Sequence, residues 1–340
     1  MRVLHVTEAL GGGVQSAIAN YVDGLPEIDH AVFSRARDGQ ATYAWARPVP
    51  HERYAGGLPG FFVRLVRKVA AERPDIVHLH SSFAGAARAV LPLGTAVVYS
   101  PHCYAMERRD LGMPARAVYG AVERVLAHRT NAVVAVSPRE AELGRRLAAR
   151  VPIRVALNPA PFAPTALGAH AVRGDDPEVV MVGRISPQKD PALFAAVARA
   201  AEELPARFVW IGDGDPAARA DLEASGVEVA GWTPPDRAAR RVARAALYLH
   251  TAAWEGGPLS TVEAATLGTP VLARDIPSMR SLGYALAGER PEELAGAVRR
   301  FFADDAYAAE VAARTAEVAR ASNPAAMTAA VREAYAAALA

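Results

Sequence analysis

Cysteine is all but missing: Cys103 is the only one in 340 residues, which excludes an internal disulfide framework and any cysteine-based zinc cluster. Lysine is nearly as scarce, with Lys68 and Lys189 the only two among 38 basic residues. No uninterrupted apolar run approaches about 18 residues, so no membrane-spanning helix is expected. The opening MRVLHVTEAL lacks the charged-then-apolar pattern of a secretory signal and reads as a first strand. A cytoplasmic enzyme is the expectation. There is no repeat of fixed period and no large excess of one charge, the net being +2. Residues 1–165 carry +7 and residues 166–340 carry −5. That split is too mild for a nucleic-acid partner but permits an anionic one on the first half.

What is present is apolar and helix-forming. Hydrophobic residues make up 51% and charged ones 22%, the balance of a soluble folded chain. The 76 alanines favour helix without specifying function. At this length one core usually divides, so two domains are expected. Short β-rich runs at 2–7, 30–34, 75–80, 96–100, 132–137 and 153–157 alternate with helical stretches, the pattern of parallel α/β units. The segment 158–177 breaks the pattern with prolines and glycines and reads as a connection. Alternation then restarts, with strands at 178–182, 207–211, 227–230, 246–250 and 270–273. The chain thus reads as an N-terminal domain at 1–165, a C-terminal domain at 166–322 and a closing helix at 323–340. Two doubly wound domains facing across a cleft are the expected architecture. In such sheets ligands sit beyond the carboxyl ends of the strands.

Four strand ends in the second half carry unusual chemistry. In MVGRISPQKD, Gly183 permits a tight turn, while Arg184 and Lys189 can hold a diphosphate from one loop; the plain alternative is two surface cations. In FVWIGDGDP, Gly212 leads into Asp213-Gly214-Asp215, a D-x-D that could hold a divalent metal or simply end a strand in an Asp-Gly turn. In GWTPPD, Trp232 and Thr233 could meet a nucleotide base or pack a loop. The fourth stretch, Trp254-Glu255-Gly256-Gly257-Pro258-Leu259-Ser260-Thr261-Val262-Glu263, places two glutamates eight apart around a turn that opens a helix. Unpaired N–H groups at such a helix start suit phosphate, and the carboxylates suit sugar hydroxyls. Against this, Ser260 and Glu263 fit a capping box, and Glu255 fits a solvated loop acid.

The first half offers less. Gly11-Gly12-Gly13 follows the first strand, but G-x-G-x-x-G fails because position 16 is Ser. A flexible, anion-approaching loop ahead of a helix starting near Val14 is expected instead. His78 and His80 share one strand face without a third ligand in view, which favours a packed strand end over a metal site. His102, just after a strand, can donate into a cleft or serve structure alone. The segment 61–69 is basic and amphipathic; Phe62, Leu65, Val66 and Val69 either meet an anionic membrane surface or cover the sheet.

Together GRISPQK, WIGDGD and EGGPLSTVE followed by AATLGTPVLA resemble the retaining, nucleotide-sugar-dependent glycosyltransferases of family 4, with the GT-B fold of two Rossmann-like domains. GGGVQ, PDIVHLHSS, YSPHCY and AVSPRE in the first half are similar to that family's N-terminal, acceptor-side domain. The resemblance implies that Arg184 and Lys189 bind the donor diphosphate in place of a metal, which makes the D-x-D incidental. It implies that Glu263 holds the ribose and Glu255 the donor hexose. The phosphate cradle would come from the Gly256-Gly257-Pro258-Leu259-Ser260 backbone. His102 would reach the sugar, Gly12 and Gly13 would let their loop approach phosphates or acceptor, and the last helix would cross back to the first domain. No metal or other cofactor is implied. The expected partners are a nucleoside-diphosphate sugar and an acceptor glycan, lipid-linked sugar or small molecule, in polysaccharide or glycoconjugate biosynthesis, with peripheral membrane contact as an added option. NPAPF departs from the Asn-Gly-Val-Asp run often seen in the family. A GT-B epimerase or hydrolase and a non-catalytic sugar-nucleotide-binding module are the rival readings.

Overall fold

The structure is a computed structural model that describes residues 1–36, 45–161 and 176–340. The chain divides into two compact units: unit 1 is Met1–Glu107, Leu111–Asn158 and Asn323–Ala340, and unit 2 is Arg108–Asp110 and Pro159–Ser322. The connection expected over 158–177 lies mostly outside the described residues.

Unit 1 runs β1 (Arg2–Thr7), α1 (Gly12–Gly24), β2 (Asp29–Arg35), β3 (His51–Tyr54), α2 (Leu58–Glu72), β4 (Ile76–His80), α3 (Ser81–Gly85), β5 (Val97–Ser100), α4 (Met113–Leu126), β6 (Ala132–Ala135), α5 (Pro138–Leu147) and β7 (Ile153–Val155). Its closing helix is Pro324–Leu339, capped by Asn323 accepting from the Ala326 N–H at 2.8 Å. The seven strands pair in parallel in the order β3-β2-β1-β4-β5-β6-β7. Strand side chains alternate between faces, and both faces are covered, which is why β1, β4 and β5 read as almost continuous apolar runs. One face presents Leu4, Val6, Phe33, Val77, Leu79 and Tyr99 to Phe61, Leu65 and Val69 of α2. The other presents Val3, Ile76, Val98 and Val134 to Tyr21 of α1 and to Val331, Ala334 and Tyr335 of the closing helix. The stripe on 61–69 therefore covers the sheet. The strand β3 escapes sequence reading because HERY has no apolar alternation. Its four residues are only half-buried at the sheet edge.

Unit 2 continues with β8 (Glu178–Val182), α6 (Pro191–Ala200), β9 (Arg207–Ile211), α7 (Pro216–Ala224), β10 (Glu228–Gly231), α8 (Pro235–Arg244), β11 (Leu247–His250), α9 (Leu259–Thr266), β12 (Val271–Ala273), α10 (Pro277–Leu282), β13 (Ala285–Leu286), α11 (Pro291–Ala303) and α12 (Asp305–Ala321). The two-residue β13 is too short to leave a periodic signal. The sheet is again parallel, in the order β10-β9-β8-β11-β12-β13. From β8 the chain winds outward through β9 and β10, then returns to β11 on the other side of β8. The loops after β8 and β11 consequently leave in opposite directions, and such a reversal opens a ligand crevice. The equivalent reversal in unit 1 falls between β1 and β4.

A charged network is built into the core of unit 1. Arg88 is 2% exposed and donates to Glu123 at 2.6 Å, to the Gly85 carbonyl at 2.7 Å and to Thr130 Oγ1 at 3.2 Å. Its guanidinium carbon lies 3.9 Å from the Tyr99 ring centroid, and the Tyr99 hydroxyl donates to the other Glu123 oxygen at 2.9 Å. Removing one partner of such a pair strands a buried charge and costs about 3–5 kcal/mol. Glu123→Ala is expected to lose stability on that scale in urea unfolding, whereas the double change Arg88→Met with Glu123→Leu should recover much of it.

Candidate functional site

The crevice of unit 2 is assembled from main chain before side chains enter it. Beyond β8, Gly183 has φ 155°, and its N–H donates to the Ile211 carbonyl at 3.0 Å. The Trp210 indole donates to the Gly183 carbonyl at 2.9 Å. A Cβ on Gly212 would stand 2.1 Å from that same carbonyl oxygen, so the glycine is required by the close approach of the two strand ends. Asp213 Oδ1 accepts from the Gly214 N–H at 2.9 Å, and Oδ2 accepts from Arg219 at 2.8 Å. Asp215 caps α7 through the Ala218 N–H. The D-x-D carboxylates thus serve the turn and the helix that follow them.

The loop after β8 is tied to the loop after β11. The Ala253 N–H donates to the Gln188 carbonyl at 2.9 Å, and Thr251 Oγ1 donates to the Lys189 carbonyl at 3.0 Å. Lys189 Nζ lies 2.6 Å from Glu255 Oε1. Gln188 Nε2 donates to Glu255 Oε2 at 3.3 Å and to the Trp254 carbonyl at 3.2 Å. Glu255 is 9% exposed, so it is a compensated buried carboxylate rather than a solvated loop acid. The helix α9 starts at Leu259 with Pro258 as its N-cap and no side-chain cap bond. The capping-box alternative for Ser260 and Glu263 therefore fails: Ser260 Oγ accepts from the Tyr248 hydroxyl at 2.9 Å instead. The Glu263 carboxyl makes no hydrogen bond among the described residues; burial pushes its basicity up, against the pull of the Lys189 charge. Arg184 is exposed and forms no ion pair among the described residues.

These placements bring Gly183, Arg184, Lys189, Gly212, Glu255, Gly256, Gly257, Pro258, Leu259, Ser260 and Glu263 to the carboxyl ends of β8, β9 and β11 and the start of α9. Trp232 and Thr233 follow the outermost strand, β10. Trp232 is exposed, and Thr233 Oγ1 donates to the Gly231 carbonyl at 3.2 Å. Sequence reasoning missed His250, the last residue of β11. It is fully buried, neither ring nitrogen has a hydrogen-bond partner among the described residues, and Nε2 is 3.8 Å from Glu255 Oε1. Burial and then the Lys189 charge hold it neutral. Its only sequence signal was a polar residue ending an apolar strand.

Unit 1 holds the remaining candidates. Gly12 and Gly13 are exposed and form the first turn of α1, with Gly12 at φ 54°. That corrects the expected loop: the helix begins two residues earlier, because glycine tolerates the positive φ of its entry. His78 and His80 do have a third imidazole beside them, His5 on β1, whose ring nitrogen lies with theirs inside 4.8 Å. The pairing of β1 with β4, His5 opposite His78 and Thr7 opposite His80, brings them to one face. All six ring nitrogens are hydrogen-bonded. His78 uses Tyr335 Oη at 2.9 Å and Ser100 Oγ at 2.8 Å. His5 and His80 bond each other at 3.0 Å, and their other nitrogens reach His30 at 2.9 Å and His102 at 3.0 Å. His102 and Cys103 both have left-handed backbone, at φ 50° and 90°. The buried Glu140 carboxylate secures that turn, accepting from the Cys103 N–H and the Val136 N–H, each at 2.7 Å.

Residues 11–163 match the Glycosyltransferase Family 4 family and residues 176–304 match Glycosyl transferases group 1. A Klebsiella pneumoniae protein described as an uncharacterized 41.2 kDa protein in cps region is 25% identical over 296 residues, covering 82% of each chain. Sucrose-phosphate synthase from Thermosynechococcus elongatus superposes with a TM-score of 0.83 at 18% identity, covering 99% of this chain and 98% of that one. Anabaena HepE, solved in complex with UDP and glucose, gives 0.76 at 16% identity and 98% coverage of both.

Burial lowers the basicity of His5, His78 and His80 well below the usual imidazole range and that of His30 and His102 to about 4. The unfolded chain protonates near pH 6.5, so each imidazole stabilises unit 1 fully above that pH and loses its contribution as pH falls, at about 1.4 kcal/mol per unit. Glu140, pushed up to about 7 by burial, works the other way as one group against five. Unit 1 is expected to unfold before unit 2 on acidification from pH 7 to pH 5, with net proton uptake, followed by tryptophan fluorescence and hydrogen exchange resolved along the chain. Acid unfolding that begins in unit 2 would contradict this.

Proposed function

The chain belongs to the family 4 glycosyltransferases and has the GT-B fold, and from that premise we propose that it transfers a hexose from a nucleoside-diphosphate sugar to an acceptor hydroxyl with retention at the anomeric carbon and without a metal. One observation carries the reading: an exposed Arg184 with no ion pair among the described residues, the Lys189–Glu255 pair at 2.6 Å and the start of α9 without a side-chain cap converge at the strand reversal of unit 2. Two cations and free N–H groups suit a diphosphate, and the carboxylates of Glu255 and Glu263 suit the hydroxyls of hexose and ribose. The candidates His102, Gly12 and Gly13 lie in unit 1.

In the proposed reaction the bond from the anomeric carbon to the diphosphate oxygen breaks and leaves an oxocarbenium-like sugar. The acceptor oxygen bonds that carbon from the same face, and its proton passes to the departing phosphate. Charge grows on the leaving oxygen, where fixed cations stabilise it most when they are already in place. Glu255 supports this by holding Lys189 in position before substrate arrives. A UDP-linked donor is favoured because HepE, a structural relative, was solved with UDP and glucose. The Klebsiella relative from a cps region supports surface polysaccharide as the acceptor class. Peripheral membrane attachment gains no support from the 61–69 stripe, which is spent inside unit 1.

Lys189→Ala should lower kcat on the order of 100-fold, the scale of one lost transition-state contact, with a smaller change in KM for the donor. Near-normal kcat would remove Lys189 from this role. Thermal shifts with UDP- and GDP-sugars, with and without EDTA, test donor and metal together. Stabilisation by a nucleotide sugar that EDTA leaves intact, together with labelled acceptor product, supports the reading. Donor loss without glycosylated product would point to hydrolysis or epimerisation, and binding without turnover to a non-catalytic module.

A further inference from the structure

Four imidazoles lie in a row across the sheet of unit 1: His30 on β2, His5 on β1, His80 on β4 and His102 just beyond β5, on neighbouring strands throughout. Three N···N contacts of 2.9, 3.0 and 3.0 Å join them. The row has a fixed end, His30 Nε2, 3.1 Å from the Leu25 carbonyl oxygen. A carbonyl can only accept, so His30 carries its proton on Nε2. A neutral imidazole has one N–H, which leaves His30 Nδ1 to accept from His5 Nε2–H. Then His5 Nδ1 accepts from His80 Nε2–H, and His80 Nδ1 accepts from His102 Nε2–H. No other arrangement of single protons satisfies every contact. Burial keeps all four rings neutral near pH 7.

We propose that His30, His5 and His80 are positioning residues that fix His102 with its proton on Nε2 and its lone pair on Nδ1, so that His102 meets substrate as the acceptor of a hydroxyl hydrogen bond. The substrate clause rests on the glycosyltransferase reading; the tautomer clause does not. His102 Nδ1 has no partner among the described residues, and the residue is partly exposed. The left-handed turn at His102 and Cys103, held by Glu140, fixes the backbone from which the ring projects. The three nitrogens of the His5, His78 and His80 cluster could instead ligate a cation. Doing so would break bonds that already satisfy every ring nitrogen.

The test is 15N NMR of the histidine rings in the full chain without ligand, with His102 assigned from its disappearance in His102→Asn. The expected result is a protonated Nε2 and an unprotonated Nδ1 at His102. In His30→Leu the two nitrogens should move toward averaged shifts as the lock is released. His30→Asn, whose Oδ1 can replace the lost Nδ1 acceptor, should restore them. A protonated Nδ1 in the native chain, or a tautomer unmoved by His30→Leu, overturns the proposal. So does one equivalent of Zn²⁺ binding tightly with loss of the native ring signals of His5 and His80. If His30→Leu does not fold, activity decides. His102→Asn places an oxygen near Nδ1 and should keep more kcat than His102→Gln, by about ten-fold, the scale of one hydrogen bond; equal or reversed rates overturn the acceptor role. A locked tautomer in a chain that transfers no sugar supports the relay and counts against the enzymatic reading alone.

Discussion

A carboxylate taken out of water must be compensated where it lies, and in unit 2 that constraint falls on Glu255. Lys189 meets it at 2.6 Å, with Gln188 on its second oxygen. Because the partners come from the loops after β8 and β11, the ion pair closes the two sides of the strand reversal onto each other. A flexible lysine alone would sweep a large volume. Paired, and with its own carbonyl held by Thr251, it becomes a fixed charge. The loss of freedom is incurred in folding, so a ligand that needs a cation there need not impose it.

The glycines around that pair do work that spacing alone could not assign. The Gly212 backbone lies too near the Gly183 carbonyl for any Cβ. The Asp213 and Asp215 carboxylates likewise belong to a turn and a helix start. Much of the motif chemistry in this region is thus architectural, and it brings a smaller set of groups, chiefly Arg184, Lys189, Glu255 and Glu263, into register.

The alternation of apolar strands and helices made both sheets legible, since a doubly covered parallel strand is apolar on each face. β3 and β13 were hidden because one is polar at an edge and the other is two residues long. The pair of glutamates eight apart was legible as a motif, but the choice between a cap and a free carboxylate at Glu263 turned on whether α9 starts at Leu259 or at Thr261, with Ser260 as its N-cap. Beyond the His78 and His80 pair the histidines could not be joined, because strand order is not written locally. His5, His30, His80 and His102 stand far apart in sequence and become neighbours only when β2, β1, β4 and β5 lie side by side. Period-two alternation places His78 and His80 on one face; joining His5 to them required the topology. His250 stayed unread for the same reason.

Unit 1 is discontinuous, and its closing helix lies against the histidine face: Tyr335 bonds His78 across 257 positions of sequence. During synthesis the sheet of unit 1 emerges first yet lacks the wall that covers one of its faces, while the whole of unit 2 is made in between. The later-born unit can therefore finish folding before the earlier one, the reverse of the usual N-to-C order. Until Val331, Ala334 and Tyr335 arrive, a strip of apolar sheet and the imidazoles beside it stay open to the solvent of the cell.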